Sequence, residues 1–329
     1  MNQNSGYGQA MLAMISSMVP AFGNVHVVLN SANSDEKNYQ HLQDIMPSDS
    51  DGNVRFFTSL SAAYDACESN NNDIILLDGN SSHSLTTGIA WTKNRIHVIG
   101  MDGGDRLVQQ GAKVQNAATD ATAYVIKVTG VRNSFRNIKF IQASTVATAL
   151  HVLEEGGEGN LYKNCTFTFG VVDNLDLTTA TEVLCGSDSA TFSKCLFGTE
   201  TLLTSAARAV FTIDQVTASQ EFKSNILEDC IWMISSSSAT ALLLKVAANT
   251  DVLFTNLFVR PTFMASVDSA GGAALTNAAA SAASLVKGTL NFANPNVFNC
   301  TNFMVTADNA QITGPVPTAA TTGIGVTPA

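Results

Sequence analysis

One short phrase recurs along this chain and limits what it can fold into. It reads SFRNIKF at 134–140, LYKNCTF at 161–167, TFSKCLF at 191–197 and ILEDCIW at 226–232, with looser echoes LFTNLFV at 253–259 and VFNCTNF at 297–303. Each clear copy runs apolar, polar, then Asn, Asp or Lys, then Cys or Ile, with an aromatic residue two positions later. A phrase that returns at similar intervals is one rung of a stack, because no single rung can bury its inward face alone.

The phrase describes a strand with a bend. Inward side chains of a strand lie two residues apart, yet Phe135 and Ile138 are three apart, so one residue must absorb a corner. Asn and Asp accept left-handed backbone angles more readily than other non-glycine residues. This predicts corners at Asn137, Asn164, Asp229 and Asn256, with Lys194 in the same slot. The residue after each corner then forms an inward column of Ile138, Cys165, Cys195, Cys230 and Leu257, continued by Cys300, at steps of 27 to 43 residues. Apolar runs precede the phrase as YVIKV at 124–128, ALHVL at 149–153, EVLC at 182–185, LLLKV at 242–246 and SLVKG at 284–288. They supply a further strand to each rung.

Upstream, TSLSAAYDACES at 58–69 places Leu60, Ala63, Tyr64 and Cys67 on one helical face. NDIILLDGNSSHSL and KNRIHVIGMDGG follow as strands with turns. This order resembles the opening of right-handed parallel β-helix proteins of the pectate-lyase-like class, over residues 54–304. The resemblance implies an all-β, right-handed parallel β-helix solenoid with an N-terminal capping helix and extended terminal arms. The expected organisation is 1–53 as an N-terminal arm and short α/β lead-in, 54–304 as the β-helix, and 305–329 as an extended C-terminal arm. Such helices serve lyases, hydrolases, phage tailspikes and passive virion parts, so the activity has to be read from residues.

Charged residues make up 13% of the chain and the net charge is −10, with Lys and Arg in no cluster. The basic footprint of a nucleic-acid binder is absent. The six cysteines form no C-x-x-C pair, and His26, His41, His83, His97 and His151 are scattered, so no metal site and no cofactor is expected. Cys165, Cys195 and Cys230 share one inward slot and read as small buried hydrophobes with free thiols.

Both ends look different from the repeats. GQAMLAMISSMVPAFG puts Met11, Met14, Ile15 and Met18 on one helical face, expected to pack against another chain. It has no positive n-region, and its apolar stretch is too short to span a bilayer. NVHVVLN at 24–30 alternates and reads as a strand. The uncharged tail, with Pro315, Pro317 and Pro328, suits an extended arm, and Pro315 and Pro317 are expected among its contacts with another chain. ASVDSAGGAALTNAAASAAS at 265–284 reads as a loop or short helix on the flank.

Catalytic chemistry is thin in the sequence. Paired carboxylates for glycan hydrolysis could come from Glu154, Glu155 and Glu158 in EEGGEG or from Asp173 and Asp176 in GVVDNLD. Lyase chemistry could draw on Arg132, Arg136 or Arg260 beside acidic calcium ligands. No motif surrounds any of these, so no catalytic residue and no enzyme activity is expected. A low-charge solenoid with uncharged arms resembles phage virion proteins. That resemblance implies an outer-capsid decoration or cement protein made in the host cytoplasm. It would act by assembly with sister copies, as a homotrimer, and with the major capsid protein, and would engage no nucleic acid, membrane or small-molecule ligand. The alternative is a tail fibre or tailspike-like receptor-binding protein, with or without polysaccharide depolymerase activity.

Overall fold

The computed structural model describes residues 23–29, 55–79, 82–101, 110–218, 220–247, 251–266, 275–280, 289–304, 312–313, 317–319 and 326–328. Met11, Met14, Ile15, Met18 and Pro315 lie outside them. Among the described residues the chain winds through three parallel sheets, the first of eleven strands and the others of eight. A rung takes one strand from each sheet in turn. Ser134–Arg136, Lys139–Gln142 and His151–Glu155 make one rung, and Leu161–Lys163, Thr166–Phe169 and Thr181–Cys185 the next. Each strand pairs with its counterparts above and below. This is a parallel β-helix.

The recurring phrase is the corner from the first sheet into the second, and it takes a single left-handed residue. Asn137, Asn164, Lys194 and Asp229 have φ of 58°, 51°, 53° and 53°. The next residue turns its side chain into the core, and its carbonyl accepts from the rung above. Thr166 N donates to Ile138 O at 3.0 Å, Leu196 N to Cys165 O at 2.9 Å and Ile231 N to Cys195 O at 2.9 Å. Each thiol of the column points back toward the preceding rung. Cys165 Sγ lies 3.4 Å from Phe135 O, Cys195 Sγ 3.4 Å from Tyr162 O and Cys230 Sγ 3.4 Å from Phe192 O. All six cysteines are free and buried.

Leu257 is a correction. It lies half-buried inside the strand Thr255–Val259, opposite Ile226 on the outer side, while Phe258 faces in. The corner of that rung falls at Arg260, with φ 48°, and Pro261 continues the column, its carbonyl accepting from Asn296 N at 2.8 Å. Asn256 belongs to a different corner, the turn from the third sheet back to the first. There buried asparagines link rung to rung, with Ile96 N donating to Asn133 Oδ1, Asn133 N to Asn160 Oδ1, Ala190 N to Asn225 Oδ1 and Asn225 N to Asn256 Oδ1. These side chains satisfy backbone donors that the turn would otherwise bury unpaired. Cys300 follows Asn299, a left-handed residue (φ 58°) at the entry to the third sheet.

Aromatic rings stack along the interior. Phe140, Phe167, Phe197, Trp232 and Phe263 form one column with neighbouring centroids 4.8 to 5.8 Å apart. Phe135, Tyr162 and Phe192 form a second, spaced 5.2 and 4.7 Å. The open end is closed by helix α1, Leu60–Ala66, whose Ser59 side chain accepts from Ala62 N at the N-cap. Tyr64 of α1 stacks on Trp91 at 4.1 Å. Lys93 Nζ reaches the carbonyls of Tyr64, Asp65 and Cys67 at the other end, placing a cation where the helix dipole is negative.

The strand Val25–Val28 joins the first sheet between Phe56–Phe57 and Ile74–Asp78. Leu275–Ala280, expected as a loop or short helix, is a strand of the third sheet, paired with Leu242–Val246 and Cys300–Met304. Its alanines suit a crowded slot, since Ala279 lies opposite buried Leu244. Pro317–Ala319 pairs antiparallel with Val326–Pro328.

Candidate functional site

The corner into the third sheet turns two consecutive residues inward. In His151–Glu155, Val152 and Leu153 are both fully buried in the core, so His151 and Glu154, three apart, emerge on the same outer side. Register then stacks outer residues by rung. His151 lies opposite Tyr124 and Thr181, and Glu154 opposite Lys127 and Leu184. The result is a compact polar cluster on the sheet face. Lys127 Nζ is 2.9 Å from Glu154 Oε2, and His151 Nε2 is 4.0 Å from Glu154 Oε1. Side-chain exposures of 26%, 12% and 9% for Lys127, His151 and Glu154 leave the group partly open to solvent.

Val216 and Gln220 wall this cluster. Lys127 Nζ approaches Val216 O at 3.4 Å, and Gln220 Nε2 donates to Gly156 O at 2.6 Å. A Cβ at position 156 would stand 2.6 Å from Gln220 Oε1, so glycine lets the wall approach. Burial pushes the His151 imidazole below its ordinary 6.5 against the opposing pull of Glu154 and the Thr181 backbone. A neutral imidazole beside a lysine-paired carboxylate is a general base with a built-in stabiliser for its protonated form.

The other sequence candidates separate. Glu155, next to Glu154, points into the core and accepts from Gly157 N, Asn160 Nδ2 and Tyr162 Oη. Glu158 pairs through its backbone with Asp188 in an isolated β-bridge, and its carbonyl accepts from Arg132 N. Asp173 and Asp176 lie exposed in a loop, where Asp176 Oδ1 accepts from Ser205 N at 2.7 Å. Arg136 lies on a first-sheet strand. Arg260 is held at its corner by Asp229 at 2.6 Å and Glu228 at 3.2 Å, all three well exposed. The cluster was missed because Lys127 and Glu154 come from different rungs. Aligning YVIKV with HVLEE places Lys127 beneath Glu154, and that alignment was the available signal.

No family model and no curated protein matches the sequence. Among solved structures, the chain is similar to the pectin methylesterase of Aspergillus niger, at 12% identity over 83% of this chain and 90% of that one, with a TM-score of 0.48. It is similar to pectin methylesterase PemA of Erwinia chrysanthemi, at 13% identity over 85% and 80%, with a TM-score of 0.47. Pectate lyase Pel9A aligns at 13% identity over 91% and 82%, with a TM-score of 0.42. At these identities the likeness is one of fold. The matched structures are carbohydrate-active enzymes, against the expectation of a chain without enzyme activity. The expectation of a phage capsid part finds no support among them.

Proposed function

We propose that this β-helix acts on a polysaccharide, with His151, Glu154 and Lys127 as its acid–base group. The observation that carries this reading is the cluster itself: a partly buried His–carboxylate–Lys set on the outer face of a parallel sheet, walled by one loop. A solenoid face is long and straight and suits an extended polymer better than a compact metabolite. His151 takes the proton from an attacking water, Glu154 stabilises the imidazolium that forms, and Lys127 offers its ammonium to the developing oxyanion. The names of the fold neighbours, pectin methylesterases and a pectate lyase, make ester-bearing and acidic glycans the first substrates to try. In its finer form the reading is a tailspike-like depolymerase, which would join sister copies through its terminal arms.

The test is to incubate the purified chain with acidic, esterified and neutral polysaccharides, following chain length by size-exclusion chromatography and released acid by pH-stat. Activity on at least one polymer, lowered about 100-fold or more by His151→Gln or Glu154→Gln, is expected. No reaction across the panel, or reaction equally fast in both variants, would sink the proposal.

A further inference from the structure

A second group of reactive side chains lies under the cap. His26 comes from the strand Val25–Val28, Cys67 from the C-cap of α1, and Asp73 from the residue before the strand Ile74–Asp78. Their ring-nitrogen, thiol and carboxylate atoms all lie within 4.8 Å of one another, and all three residues are buried. The histidines looked scattered along the sequence, but the fold brings one of them to a cysteine and an aspartate from two other segments. We infer that His26, Cys67 and Asp73 form a zinc-binding site that fastens the N-terminal strand and the capping helix to the first rung.

The donor set is the argument. Nitrogen, thiolate and carboxylate ligands together suit zinc, whose bonds of about 2.0–2.3 Å place tetrahedral ligand atoms about 3.5 Å apart. Small side-chain rotations bring a triad within 4.8 Å to that spacing. The carboxylate is already oriented. Asp73 Oδ1 accepts from Asn24 N at 2.7 Å and Asn71 Nδ2 at 2.8 Å, and Oδ2 accepts from Glu68 N at 2.7 Å. Outer partners of this kind hold a ligating carboxylate in place. Gly23 shows how tightly the chain is drawn around it, since a Cβ there would stand 2.4 Å from Asp73 Oδ1.

Cys67 Sγ lies 3.3 Å from Ala63 O. On binding, the thiol proton leaves to solvent and the sulfur turns its lone pair to the metal. A water completes the fourth position, as in other three-ligand zinc sites. No ligand is shared with the His151 cluster, so this inference and the proposed activity stand or fall separately.

The experiment uses the full chain, stripped with chelator, reloaded with zinc and passed through gel filtration. One zinc per chain by elemental analysis is expected, together with a rise in unfolding temperature over the chelated protein. Cobalt substitution should give a thiolate-to-cobalt charge-transfer band in the wild type. Cys67→Ala should abolish that band and weaken zinc binding by about tenfold or more. A wild-type protein that retains no zinc and shows no cobalt band overturns the site, whether or not any variant folds. An undiminished band in Cys67→Ala overturns it equally.

Discussion

Replacing Glu155 by Gln isolates a carboxyl that this fold carries into its core. The residue sits between Val128 and Cys185 in the third-sheet ladder and is fully buried. Three donors surround it, the Gly157 N–H at 2.8 Å, the Asn160 amide at 2.9 Å and the Tyr162 hydroxyl. Donors to a carboxylate lower its pKa, whereas removal from water raises it. Burial wins here, and the group is pushed from 4.5 to about 7. A group raised on folding binds its proton more tightly in the folded chain. Its contribution to stability is therefore full below 4.5 and is lost as pH rises to about 7. At about 1.4 kcal/mol per pKa unit, the loss is about 3 kcal/mol.

Glutamine keeps the shape without the charge. Its oxygen can accept from Gly157 and Asn160 while its amide donates to the Tyr162 oxygen. Urea unfolding of both proteins, measured from pH 4.5 to just above 7, gives the comparison. The stability of Glu155→Gln relative to wild type should rise by about 3 kcal/mol across that window and stay level above it. Parallel pH curves, or a wild type that gains on the variant toward alkaline pH, would refute the reasoning.

Two further outcomes follow from the packing. Phe167→Ala removes a ring stacked between Phe140 at 5.4 Å and Phe197 at 5.8 Å and should cost about 3–5 kcal/mol in chemical denaturation; a loss under about 1 kcal/mol would mean the columns repack freely. Arg208 and Glu182 form a bidentate pair at 2.8 Å, with side chains 1% and 0% exposed. Arg208→Met alone should cost about 3–5 kcal/mol by stranding the carboxylate, and adding Glu182→Leu should recover most of it; equal stability of the single and double variants would contradict this.

The solenoid was legible because its constraint repeats. A left-handed corner followed by an inward apolar residue or cysteine returns on successive rungs, so Asn137, Asn164, Lys194 and Asp229 recur in the same context. The reading failed where that context shifted. LFTNLFV contains an asparagine that serves another corner, and its rung turns at Arg260, a residue with no recognisable preference for the left-handed region, which displaced Leu257 from the column. Leu275–Ala280 shows no strand pattern in sequence because alanines carry little strand signal; its slot against Leu244 only exists once the stack is assembled. Asp73 and His26 stand 47 residues apart in sequence, and no local pattern joins them.

The position of the acid–base cluster follows from the unequal corners. In the rungs that turn at Asn137, Asn164, Lys194 and Asp229 a single left-handed residue joins the first sheet to the second, so no loop projects at those four corners to wall a site. The third sheet is entered after the loops 143–150 and 170–180 and is left, in the rung of Ala209–Ile213, through the residues from Asp214 to Ala218. Loops tolerate changes in length and composition that a packed rung does not. A solenoid can therefore keep its cores and corners while changing chemistry beside this sheet. That is why the phrase that reveals the fold contains none of the three residues proposed to act: Lys127 and the pair His151 and Glu154 lie on the rung segments the phrase leaves out.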